Sequence, residues 1–386
     1  MDGELITTAQ AADLLGVRIP TIYSYVSRGL LHPAGAARSR HDGSVFRRGD
    51  VVALVEARRR PRRGHFELTV ETAVTSIEPS GVLLYRGLDV AELASTHAFE
   101  EVAEIVWGGS GPSSGWATAK VPRLPSRRSP RDLIRWSIEE SAVTDAARSD
   151  LSPGHFRQVG RRCIRAAAAT LASANGGPAH GRTAEVLLGA LGDHATDRSA
   201  AAALDVALGL LADHELATST LAARAAASTG ADPYAVLIAG VAALGGVRHG
   251  SASGAAYDAL RDVLDGDPPP SGPVAGFGHT VYTDTDPRAV VLLDLVAEID
   301  DRVATGAEKL ALQVRRRSGL APNVDLGLAA LSLACGLPRH TGEVVFTVAR
   351  LAGFVAHGIE EQGHPLRFRA RATYTGEPPR STCGPA

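Results

Sequence analysis

Apolar residues recur at helical spacing along most of this chain, broken by short islands rich in glycine, proline and titratable groups. In ITTAQAADLLGVRIPTIYSYVSRGLLHP, Ala11, Ala12, Leu14 and Leu15 follow Thr7 and Thr8, either of which can cap a helix that Gly16 stops. A second helix starts near Pro20, runs through Ile22, Tyr23 and Val26, and ends at Gly29. Helix, glycine turn and helix is helix-turn-helix spacing. RSRHDGSVFRRGDVVALVEARRRPRR then predicts a glycine-turned hairpin or wing, a short helix and an arginine tail. The charge run around Pro61 and Gly64 has linker composition.

Beyond about Thr69 the pattern changes. A short Val/Leu run near Leu83 reads as a strand, and Gly108 to Arg131, rich in Ser, Gly, Pro and Arg, reads as a surface loop. Alanine-rich helices are predicted over Ile164–Ala174, Thr183–Leu191, Ala201–Ala212 and Thr220–Ser228. Several are apolar nearly all round, which suits helices buried in a large assembly or at an oligomer interface.

Composition sharpens this division. The 386 residues are 45% hydrophobic and 21% charged, with only 5% aromatic, so Ala, Leu and Val must build the core. The net charge of −2 is uneven: residues 1–63 hold eleven arginines against six acidic residues, a surplus of five, so the remainder carries −7. Three scattered cysteines suggest a reducing compartment. No secretory leader is visible and no uninterrupted apolar run reaches about 18 residues, so the expected location is cytoplasmic, without a membrane span.

Four islands carry candidate chemistry: LLADHELATSTLAAR with His214, LGGVRHGSASG with His249, GFGHTVYTDTDPR with His279 and Arg288, and LAPNVDLGLA with Asp325. Arg350 and the cluster Arg367, Arg369 and Arg371 follow. A lone histidine is more often structural than catalytic, but four islands with titratable groups, three of them pairing such a group with Gly or Pro, shift those odds. No histidine pair stands at i, i+4, which argues against zinc and leaves no metal expected.

In order, E-T-A at Glu71, L-L-Y-R-G at Leu83, F-E-E-V-A at Phe99, D-H-E-L at Asp213, H-G at His249, G-F-G-H-x-V-Y at Gly276, D-P-R-A at Asp286, P-N-V-D at Pro322 and A-R-x-A-G at Ala349 resemble the citrate synthase family. Residues 5–58 resemble the helix-turn-helix of the MerR and excisionase type. The resemblance implies an all-α body with a large and a small helical domain, behind a small winged helix-turn-helix domain. The boundaries are 1–60 for that domain, 61–70 for the linker and 71–386 for the body, its small part roughly 245–335. It also implies a homodimer that condenses acetyl-CoA with oxaloacetate, acetyl-CoA being a substrate, so no cofactor is expected.

On the same resemblance, Asp325 is the base, His249 donates to the acetyl-CoA carbonyl, and His279 polarises the oxaloacetate keto oxygen. His214 contacts oxaloacetate. Arg288, Arg350 and Arg369 clamp its carboxylates, with Arg369 reaching across from the partner subunit and Arg367 and Arg371 as rival assignments.

This chain departs from the family pattern at several places. Ala217 stands where H-E-L-N has Asn; Val247, Arg248, Ser253 and Gly254 alter the His249 island; Thr280 and Thr283 replace basic residues. Arg315, Arg316 and Arg317 are the candidates to supply the missing charge to coenzyme A. Thr21, Ser24 and Arg28 are the candidates to touch DNA, although docking on the body or a partner would also explain residues 1–60. Two classes remain open: a citrate or 2-methylcitrate synthase, or a regulator whose body senses a metabolite without turnover.

Overall fold

Two units divide the chain, Met1–Glu71 and Thr72–Ala386. The computed structural model describes residues 4–27, 30–36, 44–59, 69–109, 116, 129–192, 197–246, 252–282, 284–363, 368 and 376.

In the first unit, β1 (Leu5–Thr7) leads into α1 (Thr8–Leu15), followed by α2 (Ile19–Ser27), β2 (Gly35–Ala36), β3 (Ser44–Arg47) and α3 (Arg48–Arg59). Thr7 and Gln10 form a reciprocal capping box that starts α1, and Gly16, at φ 63°, ends it in the left-handed region. The strands pair antiparallel in the order β1-β3-β2. Ile6, Ala11, Ala12, Leu15, Ile22, Leu31, Phe46 and Val51 close a small core. The expected hairpin is joined by β1, which the sequence pattern did not reveal.

The second unit opens with an antiparallel sheet of β4 (Thr75–Ile77), β5 (Leu83–Tyr85) and β6 (Leu88–Asp89). Helices follow: α4 (Val90–Thr96), α5 (Phe99–Val106), α6 (Pro130–Val143), α7 (Pro153–Ala174), α8 (Thr183–Leu191), α9 (Arg198–Leu211), α10 (Thr218–Ala227) and α11 (Pro233–Leu244). Then come α12 (Ala252–Asp265), α13 (Pro287–Ile299), α14 (Asp301–Ser318), α15 (Val324–Ala334) and α16 (Thr341–Gly363). Of the stretch read as a surface loop, Trp116 is described between the two ends. It stacks on buried Trp107 at 5.6 Å, so at that residue the chain turns inward.

Small residues let these helices approach closely. A Cβ on Gly240 of α11 would meet the Phe354 ring of α16 at 2.6 Å, and one on Gly353 would meet the Ala212 carbonyl at 2.7 Å. α16 packs against α7, α9, α10 and α11, while α12, α13, α14 and α15 pack on one another. By length and composition α16 would pass for a bilayer-crossing segment, which the sequence pattern had not suggested. It is mostly buried, as the central helix of a soluble core would be.

Capping is nearly complete where the site is built. Asp286, Asp300 and Asn323 accept first-turn amides of α13, α14 and α15. Helix α10 is an exception, because its N-cap is Ala217, which has no side-chain acceptor. Ala217→Asn is expected to stabilise the chain by about 1 kcal/mol, read as a higher denaturation midpoint at unchanged slope. An unchanged or lower midpoint would show that the first-turn amides are already satisfied.

Candidate active site

Two loops are bonded into one platform. Gly278 donates its amide to the Ala321 carbonyl (2.8 Å), Asn323 donates its amide to the Gly276 carbonyl (2.9 Å), and Phe277 and Pro322 form an antiparallel bridge. The Asn323 side chain donates to the Gly278 carbonyl (2.8 Å) and accepts the Asp325 amide (3.0 Å). Gly276 sits at φ 89°, and a Cβ there would press on Ala256 and Leu326 at 3.0 Å. Gly276 therefore lets the loop that carries His279 pack closely against the start of α15, which carries Asp325.

His279 accepts the Val281 amide on Nδ1 (3.0 Å), so its neutral ring carries the proton on Nε2 and presents a donor. Burial, followed by the nearby Arg288 charge, holds its pKa below the usual value. His214 bonds the Tyr282 hydroxyl through Nε2 (2.9 Å), and burial, then Arg288 and Arg350, lower its pKa strongly. The three rings cluster: His214 and His279 lie 5.1 Å apart, and His279 and Tyr282 4.8 Å. Tyr282 is pushed up to about 12, chiefly by burial, so it stays a hydroxyl.

The two described clamp arginines differ. Arg288, 3% exposed, is engaged by Asp286 through Nε (3.0 Å) and Nη2 (2.8 Å). Arg350, 1% exposed, spends Nε on the Leu211 carbonyl (3.1 Å) and lies over the Phe346 ring. Both of its terminal nitrogens are buried without a hydrogen-bond partner among the described residues. An unpaired buried guanidinium is costly, and a carboxylate ligand is its natural complement.

Asp325 lies in the first turn of α15, where the helix N-terminus favours a carboxylate. Burial outweighs that preference: its pKa is pushed up to about 6, opposed by Arg288 and reinforced by Asp286. The group is thus a carboxylate near neutral pH yet basic enough to take a proton.

Behind His214, Asp213 is fully buried. Its Oδ2 accepts Thr75 (2.5 Å) and the Glu215 amide (3.1 Å) and meets His357 at 3.2 Å. His357 leads to Arg224, which bonds Glu360 (2.6 Å) and Glu361 (2.9 Å). Although burial opposes it, His357 keeps Asp213 ionised below the usual carboxylate range. The turn it secures places Glu215 at φ 54°, an unusual region for a non-glycine residue, beside His214.

His214, His279, Arg288, Arg350 and Asp325 are therefore joined by contacts or mutual electrostatics, with Arg288 acting on each of the other four. His249, Thr283, Arg367, Arg369 and Arg371 lie outside the described residues. Arg315 faces Asp284, which lies between His279 and Arg288 in the chain, at 3.8 Å, while Arg317 donates to the Pro270 and Ser271 carbonyls. In the first unit Thr21 is half-buried, and Arg28 and the Ser24 side chain lie outside what is described. Sequence reasoning passed over Tyr282, Asp286, Asn323 and His357 as site residues. A cavity of about 930 Å³ between α4, α8 and α9 shares none of these residues.

The family model "Citrate synthase, C-terminal domain" matches residues 67–371, and "Helix-turn-helix domain" matches residues 5–59. The chain is 28% identical over 357 residues to the citrate synthase of Haloferax volcanii, covering 80% of this chain and 94% of that protein. It is also 28% identical over 355 residues to the 2-methylcitrate synthase of Shewanella oneidensis, with coverage of 80% and 93%. The glyoxysomal citrate synthase of Cucurbita maxima is 30% identical over 359 residues, with coverage of 77% and 69%. Among solved structures, the citrate synthase of Thermoplasma acidophilum in ternary complex with carboxymethyl coenzyme A and oxaloacetate superposes with a TM-score of 0.68, at 23% identity, over 82% of this chain and 96% of that one. The Thermotoga maritima citrate synthase gives 0.66 at 24% identity, over 82% and 95%. With the family match spanning most of its length, the chain belongs to the citrate synthase family and carries a helix-turn-helix domain at residues 5–59.

Proposed function

We propose that this chain condenses acetyl-CoA with oxaloacetate to give citrate and free coenzyme A. The observation that carries the reading is Arg350, a buried guanidinium with both terminal nitrogens unpaired among the described residues, which acts on His214, in a cluster that Arg288 links to His279 and to a carboxylate at about 6. Arg350 and Arg288 receive the carboxylates of oxaloacetate. His279 donates its Nε2 proton toward the keto oxygen, and His214 completes that side. Asp325 takes a proton from the acetyl methyl group while His249 donates to the thioester carbonyl. The resulting enolate carbon attacks the keto carbon to form the new C–C bond. Water then cleaves the thioester C–S bond, releasing citrate and the thiol.

The partner subunit's contribution enters through Arg369, and α10 and α11 supply a surface for it. Leu221, Ala222, Ala225, Ile238, Ala239 and Ala242 point outward from this helix pair and remain partly or fully exposed in the single chain. An α11 that is apolar all round needs cover on this side as well. Residues 1–60 contact DNA in this reading, supported by their arginine surplus and helix-turn-helix. Buried free thiols at Cys163 and Cys335 accord with a cytoplasmic setting.

Release of free thiol from acetyl-CoA in the presence of oxaloacetate tests the reaction. Asp325→Asn is expected to lower kcat by about 10²–10⁴. Because the base must be ionised, kcat/KM should rise through pH of about 6 and level off above it. No turnover by the parent chain, with tight binding of a promoter fragment, would instead establish the regulator. The coenzyme A assignment predicts that Arg315→Glu/Arg316→Glu raises KM for acetyl-CoA about tenfold, by loss of charge pairing with phosphates, and leaves KM for oxaloacetate unchanged. Equal KM values for acetyl-CoA would remove that assignment. Ile238→Glu should halve the mass measured by light scattering and abolish turnover; a dimer of full activity would exclude the α10–α11 face.

A further inference from the structure

Asp286 takes no part in the steps above, yet its carboxylate, 1% exposed, gathers four donors. Oδ1 accepts the Arg288 amide and Arg288 Nε, each at 3.0 Å. Oδ2 accepts Arg288 Nη2 at 2.8 Å and the Val324 amide at 3.0 Å. One side chain thus joins a clamp arginine on α13 to the first residue of α15, next to Asp325. From these contacts we infer that Asp286 is a positioning residue for the Asp325 base, fixing its helix terminus and neutralising the Arg288 charge beside it.

Among the described residues, the charges that act on Asp325 come from Arg288 and Asp286 at the α13 terminus. From α12 it receives the Ser253 amide, while Asp258 of the same helix pairs with both Arg261 and Arg339. On α14, Arg315 faces Asp284, and on α16 Arg350 faces Leu211 and Phe346. Arg288 alone would favour the ionised form of Asp325 and weaken it as a base; Asp286 opposes that pull. Asp286→Asn keeps an oxygen acceptor for the cap and removes the charge.

The inference rests on the condensation reading, so its test includes a readout independent of turnover. Stability against pH is measured for the full chain, Asp325→Asn, Asp286→Asn and Asp286→Asn/Asp325→Asn. Burial raises the Asp325 pKa on folding, so its stabilising contribution is complete below the unfolded value of about 3.9 and is lost as pH rises to about 6. The difference between the full chain and Asp325→Asn should therefore fall over that window. In the Asp286→Asn background the fall should end about one pH unit lower, and the acid limb of kcat/KM should move with it. Windows and limbs that coincide in both backgrounds overturn the inference and leave Asp286 a merely structural contact. Should Asp286→Asn fail to fold, Asp286→Asn/Arg288→Gln carries neither charge and is expected to fold with the parent's window; a window displaced downward there also overturns it. A parent without turnover but with a shifted window removes the condensation reading alone, whereas turnover with an unmoved window removes the Asp286 role alone.

Discussion

Asn323 is the residue on which the two halves of the candidate site meet. Its amide bonds Gly276, its side-chain nitrogen bonds Gly278, and its side-chain oxygen receives the Asp325 amide. Each bond fills a group that would otherwise be buried and unpaired, at about 1–3 kcal/mol apiece. A single side chain therefore couples the loop that aims His279 to the helix that presents Asp325. Because Gly276 has no room for a Cβ, the loop cannot drift while those bonds persist. Local preference does little here; the geometry is held by hydrogen bonds between segments more than forty residues apart.

Charge is organised on this platform by difference. Arg288 comes already neutralised by Asp286, so burying it resembles burying a bidentate ion pair. Arg350 has a carbonyl for Nε, an aromatic face and the charge of Asp213 acting on it, but its terminal nitrogens have no hydrogen-bond partner among the described residues. The two histidines near Arg288 respond as bases do when buried near cations, by losing their protons, and His279 becomes a donor of fixed sense through Nε2. A second network runs from Thr75 through Asp213 Oδ2 and His357 to Arg224 and its two glutamates and supports the turn from behind. That network gives rigidity, and the terminal nitrogens of Arg350, without hydrogen-bond partners among the described residues, give affinity for an anion.

Much of this was legible in the chain. Thr183–Leu191 is a helix with the bounds read from its alanine and leucine pattern, and Thr7 and Gly16 bracket α1 as their capping chemistry dictates. Of the five residues named for the site on the described part, His279, Arg288 and Asp325 came from glycine- or proline-punctuated islands, where composition itself is unusual, and His214 from a polar island without either. Arg350 came instead through the family motif. Leu14 and Tyr23 were counted on apolar faces but lie 39% and 51% exposed, because helices of eight and nine residues bury one narrow stripe. His357 left no signal: it stands inside an apolar helix, and its partners Asp213 and Arg224 lie more than 130 residues away. Asp286 entered the sequence reading only within the D-P-R-A motif; three of its four contacts are to Arg288 two residues on, and the fourth, to the Val324 amide, exists only once α13 and α15 pack.

The departures from the family pattern around Ser253 and Gly254 have a packing account. A Cβ on Gly342 would meet Ser253 at 2.7 Å, and one on Gly254 would meet Arg339 at 2.9 Å, so small residues there match close neighbours at the start of α16. Ser253 still gives its amide to Asp325. Such fitted substitutions differ from decay, which would leave holes. Arg350 carries the same point further. A sequence selected only to fold would gain stability by exchanging an unpaired buried guanidinium for an apolar side chain of similar volume. That the core accommodates this charge, with His214 next to it and His279 and the raised Asp325 linked to it through Arg288, is accounted for by a ligand that brings the missing carboxylate.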